Sequence, residues 1–183
     1  MGIRSLLAKP VAAYIAAETK KWSSNPFQYQ QEVFDNLISK GKSTAFGRDH
    51  DFDSIKNYDD FRKRVPVRDY EQLKPYIERV LKGESDVLWR GKPKYFAKTS
   101  GTTSGTKYIP ITQDSVSNHF NSARDAALNY IHETGNSAYL DGGLIFLSGS
   151  PILSEKAGIK TGRLSGIVNH EIPAVIRSNQ KPS

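Results

Sequence analysis

The first third of the chain places apolar residues at the three- and four-residue spacing that is typical of amphipathic helices. The first such set predicts one buried helical face, formed by Ile3, Leu6, Leu7, Val11, Tyr14 and Ile15. Pro10 lies inside this pattern, so the helix either bends there or begins there. A second helix is predicted from Asn25-Pro26, a capping residue followed by proline, to Gly41. Its apolar stripe consists of Phe27, Phe34, Leu37 and Ile38.

The next segment, 44–61 (TAFGRDHDFDSIKNYDDF), is polar and rich in aspartate. His50 lies between two aspartates, which suggests a metal site, but adjacent loop residues seldom converge on one ion, so a surface loop is the favoured interpretation. A short helix is predicted over 59–64, before Pro66. A further helix should restart at Pro75 and end at Gly83. Its face is formed by Tyr70, Leu73, Ile77, Val80 and Leu81.

The pattern changes after Trp89. The segments 94–99 (KYFAKT) and 108–112 (YIPIT) have the composition of short strands. A long helix closed by Gly135 follows, with the apolar positions Val116, Phe120, Ala123, Ala127, Tyr130 and Ile131. The apolar run 143–147 (GLIFL) predicts a strand buried on both faces. The order strand, helix, strand behind a helical amino-terminal region predicts an α/β fold.

Composition indicates a globular protein. The chain has 183 residues, of which 37% are hydrophobic and 25% charged. No apolar run approaches the roughly 20 residues that span a bilayer. Lys9 and Pro10 interrupt the only signal-like stretch, and Leu6 stands where myristoylation favours Ser or Thr. Cysteine is absent, which excludes disulfides and thiolate chemistry. A cytoplasmic protein with no membrane partner is the simplest interpretation.

The net charge of +7 is unevenly distributed. The segment 79–107 contains seven basic and two acidic residues, so it alone carries +5. A basic stretch beside a glycine-rich loop suits a polyanionic ligand, although any single lysine there is more simply a solvated surface residue. Nucleic acid ranks last among the possible partners, since no basic helix and no zinc-finger spacing accompany the charge.

The small-residue run between the two predicted strands carries the functional argument. It consists of Thr99, Ser100, Gly101, Thr102, Thr103, Ser104 and Gly105, and Lys107 follows it. Glycines let successive N–H groups point into one concavity, hydroxyls add donors, and the lysine adds positive charge. The run therefore predicts a phosphate-binding loop. It is neither a Walker loop nor a dinucleotide fingerprint. A flexible turn remains the alternative, but a plain hairpin needs only about two to five residues.

The motif TSGTTSGTK resembles the phosphate-binding loop of the adenylate-forming superfamily, with its lysine at the same ninth position. The run Ser104-Gly105-Thr106 replaces the superfamily's usual Gly-x-Pro, and YIPIT follows the motif. These features resemble the branch of auxin-responsive acyl-acid amido synthetases of plants and their bacterial relatives. The stretches TAFGRDHDF, VPVRDYEQLKPYIERVLKGE and IFLSGSPIL agree with that branch. The similarity runs from about Asn25 to the carboxyl terminus.

The resemblance implies an ATP-dependent reaction. A carboxylic acid and Mg-ATP give an acyl-adenylate and pyrophosphate, and the amine of an amino acid then displaces AMP. Residues 99–105 would hold the ATP phosphates, Lys107 would orient them, and Thr102 or Thr103 would approach the magnesium-bound phosphates. No covalent nucleophile and no protein-bound metal are implied. Arg124 could bind the substrate carboxylate, but a surface ion pair with Asp125 is the slightly favoured alternative.

The resemblance also implies that the chain is the amino-terminal part of a larger enzyme. Residues 1–88 would form a mainly helical region of the large domain, and 89–183 its first strands, phosphate loop and long helix. The superfamily's adenine and ribose motifs and its carboxyl-terminal domain have no counterpart here, so this part alone should be inactive. An acyl-CoA ligase and a non-catalytic nucleotide-binding module remain as alternatives.

Overall fold

The computed structural model of the protein describes residues 2–99, 105–145, 149–172 and 180–181. Up to residue 90 its regular structure is helical, as the hydrophobic pattern predicts. The helices are α1 (Ile3–Ser24), α2 (Pro26–Gly41), α3 (Ala45–Asp49), α4 (Tyr58–Arg64) and α5 (Tyr70–Leu81), with a 3-10 turn at Phe52–Ser54 between α3 and α4.

The second part of the chain contains the strands and two further helices. In chain order these are β1 (Tyr95–Thr99), β2 (Lys107–Ile111), α6 (Gln113–Thr134), β3 (Leu144–Ile145), β4 (Ser154–Lys156), β5 (Ile159–Gly162), α7 (Leu164–Glu171) and β6 (Gln180–Lys181). A 3-10 turn at Ala138–Asp141 follows α6. The two predicted strands and the long helix behind them are therefore confirmed.

Four strands form one mixed sheet in the order β2-β1-β5-β4. β1 is antiparallel to β2 and parallel to β5, and β4 is antiparallel to β5. The short strands β3 and β6 pair in parallel as a separate two-stranded sheet. β2 and β4 are thus the edges of the main sheet, and β1, which leads into the small-residue loop, is central.

Both faces of β1 are buried. On one face Phe96, which is 0% exposed, packs with Ala45, Val80, Val87 and Ile159. The other face carries a second cluster, formed by Tyr95, Ala97, Ile111, Val116 and Ile167. Since the first cluster draws on α5 and the second on α6 and α7, β1 lies between two helical layers. The small-residue loop therefore starts from a strand that packing holds in place.

The main helices begin and end where local chemistry dictates. At the start of α5, the Asp69 carboxylate accepts from the Gln72 N–H at 2.9 Å, and the Gln72 side chain accepts from the Asp69 N–H at 3.0 Å. Pro75 lies inside α5 and does not restart it, contrary to the prediction, because this capping box has already fixed the start at Tyr70. Gly135 closes α6 with φ of +66°, as predicted.

The predicted buried face of α1 is wrong. Its large side chains are exposed: Ile3, Leu6, Leu7, Val11 and Tyr14. The helix continues through Pro10 and turns Ser5 and Ala12 inward, where Ala12 meets Leu128 of α6, and of the predicted face Ile15 alone packs there, half-buried. Small residues at the crossing let the two helices approach closely. In the described part of the chain, no helix combines the length and the apolar character needed to cross a bilayer.

The interpretation of 44–61 as a surface loop is also wrong. α3 and the following 3-10 turn bury Ala45 and Phe52, and His50 is only 6% exposed. His50 Nε2 lies 2.7 Å from Arg68 Nη1, and because a guanidinium only donates, this nitrogen is the acceptor. Nδ1 therefore carries the hydrogen and donates to the Phe46 carbonyl at 2.7 Å. With both nitrogens used, His50 is a structural residue, and no metal-binding cluster occurs among the described residues.

Other apolar predictions hold in part. Pro26 begins α2 and Gly41 ends it, but Asn25 makes no side-chain cap. Phe34 and Ile38 pack inward, whereas Phe27 is 85% exposed. On α6, Val116 and Ile131 are buried, whereas three other members of the predicted stripe are exposed: Ala123, Ala127 and Tyr130. The strand predicted over 143–147 is described only at Leu144–Ile145, and Ile145 is exposed rather than buried.

Candidate phosphate-binding site

The small-residue loop connects the two strands of a hairpin. Thr99, the last residue of β1, lies opposite Lys107, the first residue of β2. The seven residues 100–106 therefore join two positions that the strand register holds side by side. Ser100, Gly101, Thr102, Thr103 and Ser104, which the sequence assigns to phosphate binding, lie outside the described residues. Thr99 and Gly105 at the two ends of the loop are both exposed.

Gly105 adopts a backbone conformation that favours glycine. Its φ is +81°, and a Cβ built on it would meet no atom within 4 Å. The requirement at this position is therefore conformational rather than steric, because residues with a side chain seldom adopt a positive φ.

The loop starts at the carboxyl end of β1, on the side of the sheet where ligands usually bind in open α/β folds. β1 and β5 run in parallel, so their carboxyl ends lie on the same side of the sheet, and α7 begins there directly after β5. Gly149 and Ser150 also lie near these carboxyl ends. The Gly149 N–H donates to Ser165 Oγ at 2.9 Å, and a Cβ on Gly166 would lie 2.3 Å from the Ser150 carbonyl oxygen. Ser148, which precedes them in the sequence, lies outside the described residues.

Lys107 is half-buried and lies beside Tyr70, the first residue of α5. The Lys107 ammonium is 5.3 Å from the centroid of the Tyr70 ring, within the range of a cation–π contact. The Tyr70 hydroxyl accepts from the Tyr108 N–H at 2.9 Å. Tyr70 belongs to the predicted helical face of α5, but residue spacing does not reveal its contact with Tyr108 of β2, 38 residues later.

A second lysine contacts the return strand of the loop. The Lys156 ammonium, from β4, is 4.4 Å from the centroid of the Tyr108 ring. Both residues line an open cavity of about 340 Å³ that also includes Thr106 at the end of the loop. Two ammonium groups therefore lie near the start of the return strand, which is favourable for an anionic ligand, although Glu71 and Glu78 line the same cavity.

A larger cavity, of about 540 Å³, lies at the other end of β2. Its walls are apolar residues of α2 and of the segment before β1, together with Pro110 and the first turn of α6. Thr112 at its rim comes five positions after Lys107, or roughly 17 Å at the rise of an extended chain. Thr99 and Gly105, the described ends of the loop, do not line this cavity.

Arg124, the candidate contact for a substrate carboxylate, pairs with its neighbour. Its Nε lies 2.7 Å from Asp125 Oδ1, and half of its side chain is exposed. This is the surface pair that the sequence left open. The two other histidines of α6, His119 and His132, are exposed.

A partly buried ionic cluster fixes α7 to β1. The Tyr95 hydroxyl donates to Glu171 Oε1 at 2.5 Å, and the Lys94 ammonium contacts the same oxygen at 2.6 Å. Burial, and then the bond to Glu171, raise the pKa of Tyr95 to about 12. Burial would also raise the pKa of the Glu171 carboxyl, but the bonds from Lys94 and Tyr95 outweigh it and lower that pKa.

The Tyr95→Phe variant should lose less stability at alkaline pH than the wild-type protein. The folded-state pKa of Tyr95, about 12, lies above the ordinary value of 10.0, so its contribution is fully present below pH 10 and is lost as the pH rises through 12. Urea midpoints measured across this interval should converge for the two proteins. Parallel pH profiles would contradict the assignment, and Tyr58→Phe, at an exposed tyrosine, should follow the wild-type curve.

Comparison with known proteins gives consistent results. The model of the GH3 family N-terminal domain matches residues 15–181. Indole-3-acetic acid-amido synthetase GH3.17 of Arabidopsis thaliana is 32% identical over 95 residues, which are 50% of this chain and 16% of that protein. The synthetase GH3.15 of the same plant is 31% identical over 118 residues, 63% of this chain and 20% of that protein.

The fold matches a solved structure. The AtGH3.15 acyl acid amido synthetase in complex with 2,4-DB aligns with a TM-score of 0.76 and 22% identity, over 88% of this chain and 28% of that one. The predicted α/β fold with a helical beginning is therefore confirmed. The chain spans about a fifth or less of the length of the two curated relatives described above.

Proposed function

The chain belongs to the GH3 family, since the model of that family's N-terminal domain matches residues 15–181, and we propose that it supplies the ATP phosphate-binding loop of an acid–amino acid ligase. The similar curated proteins are named as amido synthetases that act on indole-3-acetic acid. For this protein we propose the same class of reaction, with a small carboxylic acid and an amino acid as substrates. We also propose a cytoplasmic location, where ATP is available.

The proposed reaction has two steps. A carboxylate oxygen attacks the α-phosphorus of ATP, and the bond to the β-phosphate oxygen breaks to release pyrophosphate. The amino nitrogen then attacks the carbonyl carbon of the acyl-adenylate, an amide bond forms, and AMP leaves as the amine loses a proton. Neither step needs a covalent nucleophile of the protein, because positioning and charge stabilisation lower the barrier.

The hairpin register is the single observation that carries the proposal. It pairs Lys107 with Thr99, the last residue of β1, so the lysine begins the strand that directly follows the loop. A hydroxyl- and amide-rich loop with a lysine at its base matches the donor set that holds a polyphosphate. Each hydrogen bond to a charged oxygen contributes about 1.5–3 kcal/mol.

The roles of the remaining loop residues follow from the family. We propose that Thr99, Ser100, Gly101, Thr102, Thr103, Ser104 and Gly105 surround the phosphates of ATP. Magnesium, which neutralises phosphate charge, would be carried by the nucleotide, with the hydroxyl of Thr102 or Thr103 near the phosphates to which it binds. The chemistry of this donor set fits, since magnesium prefers oxygen ligands. Arg124 remains a weaker candidate for the acid's carboxylate, because it already pairs with Asp125.

Pyrophosphate exchange tests the proposal. The natural protein that contains this chain should incorporate labelled pyrophosphate into ATP only when a suitable carboxylic acid is present, and a panel of indole, benzoate and aliphatic acids would identify it. Amide formation with amino acids, compared with thioester formation with coenzyme A, separates an amido synthetase from an acyl-CoA ligase. Nucleotide binding without exchange for any acid would instead support a non-catalytic module and overturn the proposal.

A further inference from the structure

We propose that Tyr70 is the positioning residue of the phosphate loop: its hydroxyl holds the outer edge of β2 and its ring holds the ammonium of Lys107. The inference deepens the proposed function and depends on it, since it assumes that Lys107 contacts phosphate. It assigns a role to a residue of α5, a helix outside the hairpin itself.

The hydroxyl acts on the free edge of the sheet. β2 is an edge strand, and Tyr108 lies opposite Lys98 of β1. In an antiparallel pair, alternate residues turn their N–H and carbonyl groups away from the partner strand. Tyr108 is such a residue, since its N–H donates to the Tyr70 hydroxyl at 2.9 Å, and that hydroxyl lies 3.5 Å from the Tyr108 carbonyl oxygen. Tyr70 thus fixes β2 at the residue directly after Lys107.

The ring acts on the lysine side chain. With the Lys107 ammonium 5.3 Å from its centroid, the ring attracts the cation through its negative face. A carboxylate at the same place would neutralise the charge and compete with phosphate, whereas an aromatic face orients the ammonium and leaves its charge available. Restricting a long side chain before the ligand arrives also lowers the entropy lost on binding.

Tyr70 itself is held by the fold. It is the first residue of α5, directly after Asp69, whose capping box with Gln72 fixes the start of the helix. Further along the same helix, Ile77 and Val80 are buried. A side chain on an anchored helix positions its partner more accurately than one on a loop. The anchored helix therefore holds Tyr70 in place, and Tyr70 holds Lys107 and Tyr108 at the base of the phosphate loop.

A double-mutant cycle tests the inference in the natural protein that contains this chain. Tyr70→Leu removes both contacts, and Tyr70→Phe removes only the hydroxyl. We expect the KM for ATP in pyrophosphate exchange to rise about 10-fold in Tyr70→Leu and less in Tyr70→Phe. In a Lys107→Ala background, the Tyr70→Leu change should add much less than 10-fold, because its target is gone. Independent, multiplicative effects of the two changes would overturn the inference.

Tyr58 provides a matched control. It is also the first residue of a helix, α4, and it carries a cation over its ring, with Arg62 at 5.9 Å from the centroid. Tyr58→Leu should leave the KM for ATP unchanged. An increase equal to that of Tyr70→Leu would show a general effect of losing such a tyrosine, and would contradict a specific role for Tyr70.

A spectroscopic measurement separates this inference from the proposed function. In the NMR spectrum, the ring current of Tyr70 should displace the side-chain methylene signals of Lys107, and the displacement should persist in Tyr70→Phe and vanish in Tyr70→Leu. If the protein shows no exchange with any acid while the displacement is observed, the proposed function fails and the geometry stands. If Lys107→Ala abolishes exchange and no displacement exists, the role of Tyr70 fails and the function stands. Because Tyr70→Phe keeps the ring, the NMR test remains decisive even where Tyr70→Leu does not fold.

Discussion

Replacing Lys107 with alanine is expected to lower kcat/KM for ATP about 100-fold in acid-dependent pyrophosphate exchange, the size of effect that follows the loss of one donor to a developing charge. The reason is geometric: Lys107 starts β2 directly opposite Thr99, the end of β1, so its charge is carried by the residue at the base of the loop. Initial rates of exchange at varied ATP concentration measure the effect.

Lys160 is the matched control for this prediction. It is an exposed lysine on β5, opposite Tyr95 in the same sheet, and its replacement by alanine changes the net charge equally. Lys160→Ala should retain exchange within about 2-fold, as surface charges at this distance are screened by salt. If both variants lose activity alike, the field of the whole sheet attracts ATP, and Lys107 has no particular role.

The largest loss of stability is expected for Phe96→Ala, at about 3–5 kcal/mol. Phe96 is 0% exposed at the centre of β1, where its ring contacts the Tyr108 ring edge-on with centroids 6.3 Å apart. Its removal leaves a cavity between the sheet and α5, and the loss is a large fraction of the 5–15 kcal/mol that stabilises a typical domain. Urea denaturation should show a lower midpoint with an unchanged slope.

Phe27 offers the same side chain in the opposite environment. It is 85% exposed near the start of α2, so Phe27→Ala should change the free energy of unfolding by less than about 0.5 kcal/mol. Equal losses in the two variants would mean that β1 is not the centre of the core. A changed slope for Phe96→Ala would indicate that the unfolded or folded state has altered in compactness.

Local chemistry made the hairpin and α6 predictable from sequence. The strands 94–99 and 108–112 stand out because aromatic and β-branched residues flank a run of small ones. The structure places them at Tyr95–Thr99 and Lys107–Ile111. The end of α6 at Gly135 follows from the ability of glycine to adopt positive φ. These features depend on neighbours in the sequence, so periodicity and composition suffice.

The failures share one physical cause, which is dependence on distant partners. α1 has apolar residues on two sides, and only its packing on α6 decides that Ala12 is buried and Leu7 exposed. His50 is flanked by aspartates, yet its ring nitrogen meets Arg68, 18 residues away. Tyr70 matched a helical stripe, and its contact with β2 is invisible to spacing. For the loop, the sequence supplied the chemistry and the residues, and the structure supplied the register that holds its two ends.

The outer edge of β2 is closed to further strands, and this limits how the sheet can be extended. Of its outward-facing positions, Tyr108 already donates its N–H to Tyr70, and Pro110 has no N–H to offer. Strand addition from another molecule, the usual route to edge-to-edge aggregation, is therefore blocked on the side next to the loop. A larger sheet, in a longer protein of this family, would have to grow from β4. There a partner strand would need charges opposite to those of the exposed residues Glu155 and Lys156.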